Sequence, residues 1–114
     1  MPMLKIQTNT PVAEENRKAL ASLASATVAE LLGKPERYVM VSIEENPCML
    51  FGGSDAPLAY LELKSIGLPD SQTSEFSARL AKLLEEQLGI PADRVYIEFA
   101  DAARNMWGWN GGTF

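Results

Sequence analysis

The chain has 114 residues, of which 46% are hydrophobic, and a formal net charge of −5. This size predicts a single domain over residues 1–114, and because the basic residues are scattered through an acidic chain, we expect neither nucleic acid nor an anionic membrane as a partner. No apolar run approaches the roughly 20 residues of a bilayer span and no secretory signal pattern is visible, so we expect a soluble, cytoplasmic protein.

The amino end carries Pro2 directly after Met1. A small second residue allows the methionine to be removed, which would leave a secondary amine at position 2. A free α-amino group has a pKa of about 7.7–8.0, and an apolar pocket lowers that pKa toward the range of a general base. The chain contains no histidine, so few other groups titrate there. The alternative is ordinary amino-terminal processing with no catalytic role.

Polarity alternates over residues 3–8, which predicts a first strand. Thr10-Pro11 then signals the start of a helix, which ends at Gly33-Lys34-Pro35. The apolar positions of this helix at helical spacing are Leu20, Leu23, Thr27 and Leu31. A second alternating stretch over residues 39–44 predicts the next strand.

The same order returns in the second half of the chain. A strand over residues 58–64 is followed by a helix from about Ser71 to Gly89, and another strand begins at Val95. The sequence Leu-Gly-Lys-Pro at 32–35 aligns with Leu-Gly-Ile-Pro at 88–91. We therefore predict a duplicated βαβ unit, with pseudo-repeats at about residues 2–45 and 57–100.

Two βαβ units with right-handed crossovers predict an α/β fold, a two-layer sandwich in which a four-stranded mixed sheet carries both helices on one face. The other face of the sheet is then uncovered. Its predicted side chains are Met40, Ser42, Glu44, Tyr60, Glu62, Tyr96 and Glu98. Because a chain this small buries little surface alone, we expect copies of it to associate.

The aromatic, uncharged tail at residues 106–114 has two open interpretations. It is either a last strand that caps the core or an arm packed on a neighbouring subunit. Cys48 is the only cysteine, which excludes an internal disulfide and a cysteine-based zinc site. We interpret Cys48 as a small apolar filler and expect no metal or cofactor.

Six motifs occur in order along the chain: Pro2, Gly33-Lys34-Pro35, Phe51-Gly52-Gly53-Ser54, Ser65-Ile66-Gly67, Asp93-Arg94-Val95-Tyr96-Ile97 and Gly108-Trp109-Asn110. With these motifs the chain resembles the macrophage migration inhibitory factor family of the tautomerase superfamily over essentially its whole length. The resemblance implies a homotrimer of doubled βαβ units whose sheets enclose a central channel, with a pocket at each subunit boundary.

The resemblance also implies a cofactor-free keto–enol tautomerase acting on phenylpyruvate-like α-keto acids and dopachrome-type compounds. Pro2 would be the catalytic base. Lys34 would contact the carboxylate or carbonyl oxygen of the substrate, and the backbone N–H of Ile66 would donate a hydrogen bond there. Met3 and Tyr38 would shape the pocket. Without the resemblance, Lys34 is a surface lysine that complements the helix dipole.

The resemblance implies that Tyr96 reaches the pocket from the adjacent subunit, although a strand tyrosine is otherwise ordinary sheet packing. Glu98 and Trp107 depart from the vertebrate pattern, which has asparagine and valine there. We expect Glu98 to repel anionic substrates and Trp107 to narrow the opening, with a solvated strand glutamate as the alternative for Glu98. The vertebrate Cys-x-x-Cys is replaced by residues 58–61, Leu-Ala-Tyr-Leu, so we expect no thiol redox activity.

A second function remains open at this point. The chain can be a cytokine-like trimer that binds a receptor and has only incidental or weak tautomerase activity. The absence of the Cys-x-x-Cys and of a secretory signal favours the enzyme.

Overall fold

The computed structural model describes residues 1–114. In chain order the main elements are β1 (Met3–Thr8), α1 (Glu14–Leu32), β2 (Met40–Glu45), β3 (Ala59–Ile66), α2 (Thr73–Leu88) and β4 (Val95–Ala102), followed by the short strands β5 (Gly108–Trp109) and β6 (Gly112–Thr113). None of the helices combines the length and the apolar character needed to cross a bilayer. The order β-α-β occurs twice; that the halves are a duplicated unit of one domain stays a prediction.

The four long strands form one mixed sheet in the order β2-β1-β3-β4. β1 runs parallel to β2 and β3 runs parallel to β4, whereas β1 and β3 are antiparallel. Each parallel pair is connected through a helix, because parallel neighbours need a long crossover. The predicted four-stranded mixed sheet is confirmed.

Both helices pack on the same face of this sheet. Leu4 of β1 and Leu61 of β3 are fully buried and belong, with side chains of both helices, to a core of 14 residues. Successive strand side chains point to opposite faces, and because both helices pack on one face, no layer of the chain covers the other. Met40 and Tyr96 on that face are 66% and 65% exposed. The predicted two-layer sandwich with one uncovered sheet face is confirmed.

Helix α1 buries the predicted Leu20 and Thr27 and packs Leu31 against the core, but the prediction for Leu23 is wrong. Its buried residues are Leu20, Ala24, Thr27 and Val28, whereas Leu23 is 41% exposed. Positions three and four residues apart lie on the same side of a helix, so Leu20 fits a stripe through either Leu23 or Ala24. Packing against the sheet selects the stripe through Ala24, which the sequence pattern alone could not decide.

Both long helices end as predicted at a glycine. Gly33 and Gly89 have φ angles of 61° and 69°, the left-handed conformation that glycine adopts without a steric penalty. After each glycine a proline precedes a short 3₁₀ turn, Glu36–Tyr38 in the first half and Ala92–Arg94 in the second. These turns direct the chain from each helix into the next strand.

The interpretation of Cys48 as an apolar filler is wrong, because this residue is exposed. It lies in the loop between β2 and β3, where its backbone N–H donates to the side-chain oxygen of Asn46 at 3.0 Å. An asparagine that bonds the backbone two residues later stabilises a turn. The turn keeps this part of the loop on the surface.

Candidate active site

A cavity of about 230 Å³ lies at the amino end of β1. Four of the predicted site residues line it, namely Pro2, Met3, Tyr38 and Trp107. The remaining lining residues are Met1, Arg37, Val39, Met40, Gly108, Trp109 and Phe114. The walls are therefore mostly apolar and aromatic, as expected for a site that binds a small organic molecule.

Pro2 is fully buried at the start of β1. Its carbonyl oxygen accepts a hydrogen bond from the backbone N–H of Met40 at 3.0 Å, one of the bonds by which Met40 of β2 pairs with Met3 of β1. Because proline in a peptide bond has no N–H, burial leaves no backbone donor of Pro2 without a partner. Pro2, directly before β1, is thus held against β2 through its carbonyl group.

The amino group of Met1 donates a hydrogen bond to the backbone carbonyl oxygen of Tyr38 at 2.7 Å. Burial lowers the pKa of this amino group below its usual value, and the positive charge of Lys34 lowers that pKa further. Both effects disfavour the charged form. An amine at this end of the sheet is biased toward the neutral state that a base requires.

Lys34 lies beside the cavity without lining it. Its Nζ donates a hydrogen bond to the backbone carbonyl oxygen of Ile66 at 3.2 Å, which connects the end of α1 to the end of β3. In this structure it is the carbonyl group of Ile66, not its N–H, that contacts Lys34. Lys34 and Ile66 therefore contact each other, although neither residue lines the cavity.

The tail forms a hairpin on its own chain. Its two turn residues, Asn110 and Gly111, have φ angles of 52° and 78°, both positive as in a type I′ turn. The rings of Trp109 and Phe114 stack with centroids 5.2 Å apart, and each meets the ring of Tyr38 edge-on at 5.7 and 5.9 Å. This aromatic trio encloses one side of the cavity. Packing of the tail on a neighbouring subunit stays a prediction.

Sequence reasoning missed seven of the eleven lining residues, among them Arg37, Trp109 and Phe114. The dipeptide Asn110-Gly111 is a strong hairpin signal and would have brought Phe114 beside Trp109. No local pattern marks Arg37. Its guanidinium carbon lies 4.8 Å from the centroid of the Tyr38 ring, a contact that depends on the 3₁₀ turn after α1.

Tyr96 and Glu98 lie away from the cavity within one chain. Tyr96 is opposite Tyr60, which is opposite Gln7, five residues beyond Pro2 and so about 17 Å along the strand direction. Glu98 accepts a hydrogen bond from the Tyr60 hydroxyl at 2.6 Å, and this bond raises the pKa of that hydroxyl well above its usual range. The structure thus brings neither residue to Pro2.

The cavity contains no arrangement that indicates a metal, because no cluster of three or more His, Cys, Asp or Glu side chains is placed to hold an ion anywhere in the chain. Its chemical groups are an amino terminus at the start of a buried strand, a lysine at its edge and an arginine in its wall. The two-layer sandwich is the fold of the tautomerase superfamily.

A family model described as macrophage migration inhibitory factor (MIF) matches residues 1–114, and the chain therefore belongs to that family. It is 42% identical over 115 residues to the macrophage migration inhibitory factor homolog of Brugia malayi, covering 100% of this chain and 99% of the relative. It is 37% identical over 115 residues to macrophage migration inhibitory factor of Mus musculus, with the same coverage. The crystal structure of a homologue from Prochlorococcus marinus superposes with a TM-score of 0.92 at 45% identity and 98% coverage of both chains.

Proposed function

We propose that this protein is a cofactor-free keto–enol tautomerase of phenylpyruvate-like α-keto acids and dopachrome-type compounds, with Pro2 as the general base after removal of Met1. One observation carries the proposal: Pro2 is fully buried at the start of a sheet strand, in the wall of a mostly apolar cavity. Removal of Met1 turns the ring nitrogen of Pro2 into a secondary amine of a residue that lines that cavity.

The electrostatic surroundings support a neutral base. Burial and Lys34 already lower the pKa of the Met1 amino group, one residue before Pro2. The same two causes would act on the Pro2 amine. A base that is neutral near pH 7 accepts the α-proton of the substrate efficiently.

Proton removal beside a carbonyl builds negative charge on the carbonyl oxygen. A cation and an oriented N–H aimed at this oxygen lower the barrier. Lys34 would supply the cation and the backbone of Ile66 the N–H; the contact between the two residues supports their acting at one place. Met3, Tyr38 and Trp107 would form the walls that hold a phenyl-bearing substrate.

The proposal includes a homotrimer in which Tyr96 and Glu98 of one protomer reach the cavity of the next. The uncovered sheet face and the exposed Tyr96 side chain support an interface. Sedimentation at fixed concentration should then give three times the protomer mass. Glu98 would bring a carboxylate near the opening and Trp107 would narrow it, so we expect a substrate range that differs from relatives with asparagine and valine there.

Ketonisation of the enol form of phenylpyruvate tests the enzymatic function. Intact mass first establishes that Met1 is absent, and the processed wild type is compared with Pro2→Gly and with a preparation that retains Met1. We expect kcat/KM to fall roughly 10²- to 10⁴-fold in Pro2→Gly and activity to be absent while Met1 is retained, because the Pro2 nitrogen is then an amide. Equal rates for the wild type and Pro2→Gly would disprove the proposed base.

Receptor binding is the second candidate, because the mouse relative is named for inhibiting macrophage migration. One variant distinguishes receptor binding from tautomerase activity. Pro2→Gly would keep a receptor-binding surface while losing tautomerase activity, so a biological effect that survives this substitution would favour a cytokine-like role.

A further inference from the structure

The cavity has a single charged side chain in its wall. Of the eleven lining residues, only Arg37 carries a charged side chain, and the rest offer apolar, aromatic or backbone surface. Arg37 belongs to the 3₁₀ turn Glu36–Tyr38, which places it next to Tyr38 of the aromatic trio. An anion that enters this cavity therefore meets a guanidinium group in the wall itself.

The guanidinium of Arg37 is free to bind a ligand. The five ion pairs of the structure use Lys5, Arg17, Lys64, Arg79 and Lys82, and none involves Arg37. Its guanidinium carbon is held 4.8 Å from the centroid of the Tyr38 ring. A guanidinium stacked on a ring keeps its N–H edge available for two parallel hydrogen bonds to a carboxylate.

Lys34 is placed differently from Arg37. It does not line the cavity, and its Nζ is held by the carbonyl oxygen of Ile66 at 3.2 Å. A lysine ammonium is a point charge, whereas the planar fork of arginine matches the geometry of a carboxylate. The two cations beside this cavity are thus suited to different oxygen atoms of an α-keto acid.

We propose that Arg37 is a specificity-determining residue that binds the carboxylate of the α-keto acid, while Lys34 contacts the carbonyl oxygen. This assignment rests on the proposed tautomerase function and deepens it. Arg37 selects acids over uncharged ketones of the same shape, because an uncharged ketone leaves the guanidinium without its partner in a mostly apolar cavity.

The experiment compares phenylpyruvate with its methyl ester, which lacks the negative charge. We expect the acid-to-ester ratio of kcat/KM to fall roughly 10- to 100-fold in Arg37→Gln, mainly through the KM of the acid. Arg37→Lys keeps the positive charge but loses the planar fork, so its acid-to-ester ratio should lie between the ratios of the wild type and Arg37→Gln. Lys18→Gln is the matched control: it removes one exposed cation near the start of α1, roughly 20 Å along the helix from Lys34, and should keep the wild-type ratio.

Two results would overturn the assignment. The first is an acid-to-ester ratio in Arg37→Gln equal to that of the wild type. The second is an equal loss for acid and ester, which would mean that Arg37 only supports Tyr38. If the processed wild type has no tautomerase activity, the proposed function fails, and titration calorimetry of phenylpyruvate then decides the role of Arg37. Binding by the wild type that is lost in Arg37→Gln supports the carboxylate site, and any other pattern rejects it.

Discussion

The two connections from helix to strand, residues 33–39 and residues 89–95, have nearly the same backbone and different chemistry. Each begins with a glycine in the left-handed conformation, continues through a proline and a 3₁₀ turn, and enters a strand of the sheet. We name them the first and the second connection. The comparison separates what the backbone supplies from what the side chains add.

The side chains of the two connections have opposite uses. Lys34 in the first connection reaches the cavity edge, whereas Ile90 at the same position of the second is fully buried in the core. Tyr38 lines the cavity, whereas Arg94 donates hydrogen bonds to the backbone carbonyl oxygens of Phe51, Ser54, Ala56 and Pro57. The backbone of the two connections is thus nearly the same, and only the side chains of the first connection make it part of a candidate site.

The largest expected effect comes from giving the first connection the side chain of the second. In Lys34→Ile we expect kcat/KM for phenylpyruvate to fall roughly 10²- to 10³-fold, because a cation aimed at the developing oxyanion is lost. The fold should persist, since isoleucine occupies the equivalent place in the second connection. Lys18→Gln serves again as the control for the loss of one positive charge.

The same variant has an expected pH signature. Burial and then Lys34 lower the pKa of the Met1 amino group; if Lys34 acts in the same way on the Pro2 amine, the pKa of that amine should rise without it. The base is active only when neutral, and the acid limb of the pH profile of kcat/KM should therefore move to higher pH. An acid limb of the pH profile that does not move in Lys34→Ile would show that Lys34 does not change the pKa of the Pro2 amine.

The second prediction concerns a substitution that removes the structural role of Arg94 in the second connection. Arg94→Gln shortens the side chain that bonds the loop between β2 and β3, and we expect the free energy of unfolding to fall by about 2 kcal/mol. Urea denaturation at fixed protein concentration measures it. Asp93→Asn, a change at the neighbouring exposed residue, should leave stability near the wild-type value. Equal stabilities of Arg94→Gln and wild type would mean that the loop is held by other contacts.

Much of the fold follows from local signals in the sequence. Alternation marks the strands, and Gly33 and Gly89 mark the helix ends because only glycine adopts this backbone conformation readily. In α1 the predicted Leu20 and Thr27 are buried, but Ala24 and Val28 are buried in place of Leu23. Helical spacing allows both stripes, and the choice depends on the sheet that the helix covers.

The candidate site was predictable only in part. Pro2, Tyr38 and Trp107 were expected together through the family resemblance, and they do line one cavity; their catalytic and binding roles stay predictions. Arg37 and Phe114 line the same cavity because the tail folds back onto Tyr38, in the turn more than seventy residues earlier in the chain. Contacts between residues this far apart in sequence are set by tertiary packing, and the hydrophobic periodicity of the sequence does not predict them.

The smallest expected effect compares the two helix-ending glycines directly. A Cβ added at Gly33 or at Gly89 would meet no atom within 4 Å, so each alanine substitution should cost only the strain of a positive φ, about 1 kcal/mol in the free energy of unfolding. Because Gly33 directly precedes Lys34, Gly33→Ala should also lower kcat/KM several-fold, whereas Gly89→Ala should not. Urea denaturation and enol ketonisation of the two variants check this. Unequal losses of stability in Gly33→Ala and Gly89→Ala would show that the backbones of the two connections are not energetically equivalent. An equal loss of activity in both variants would show that the first connection is not specifically linked to the candidate site.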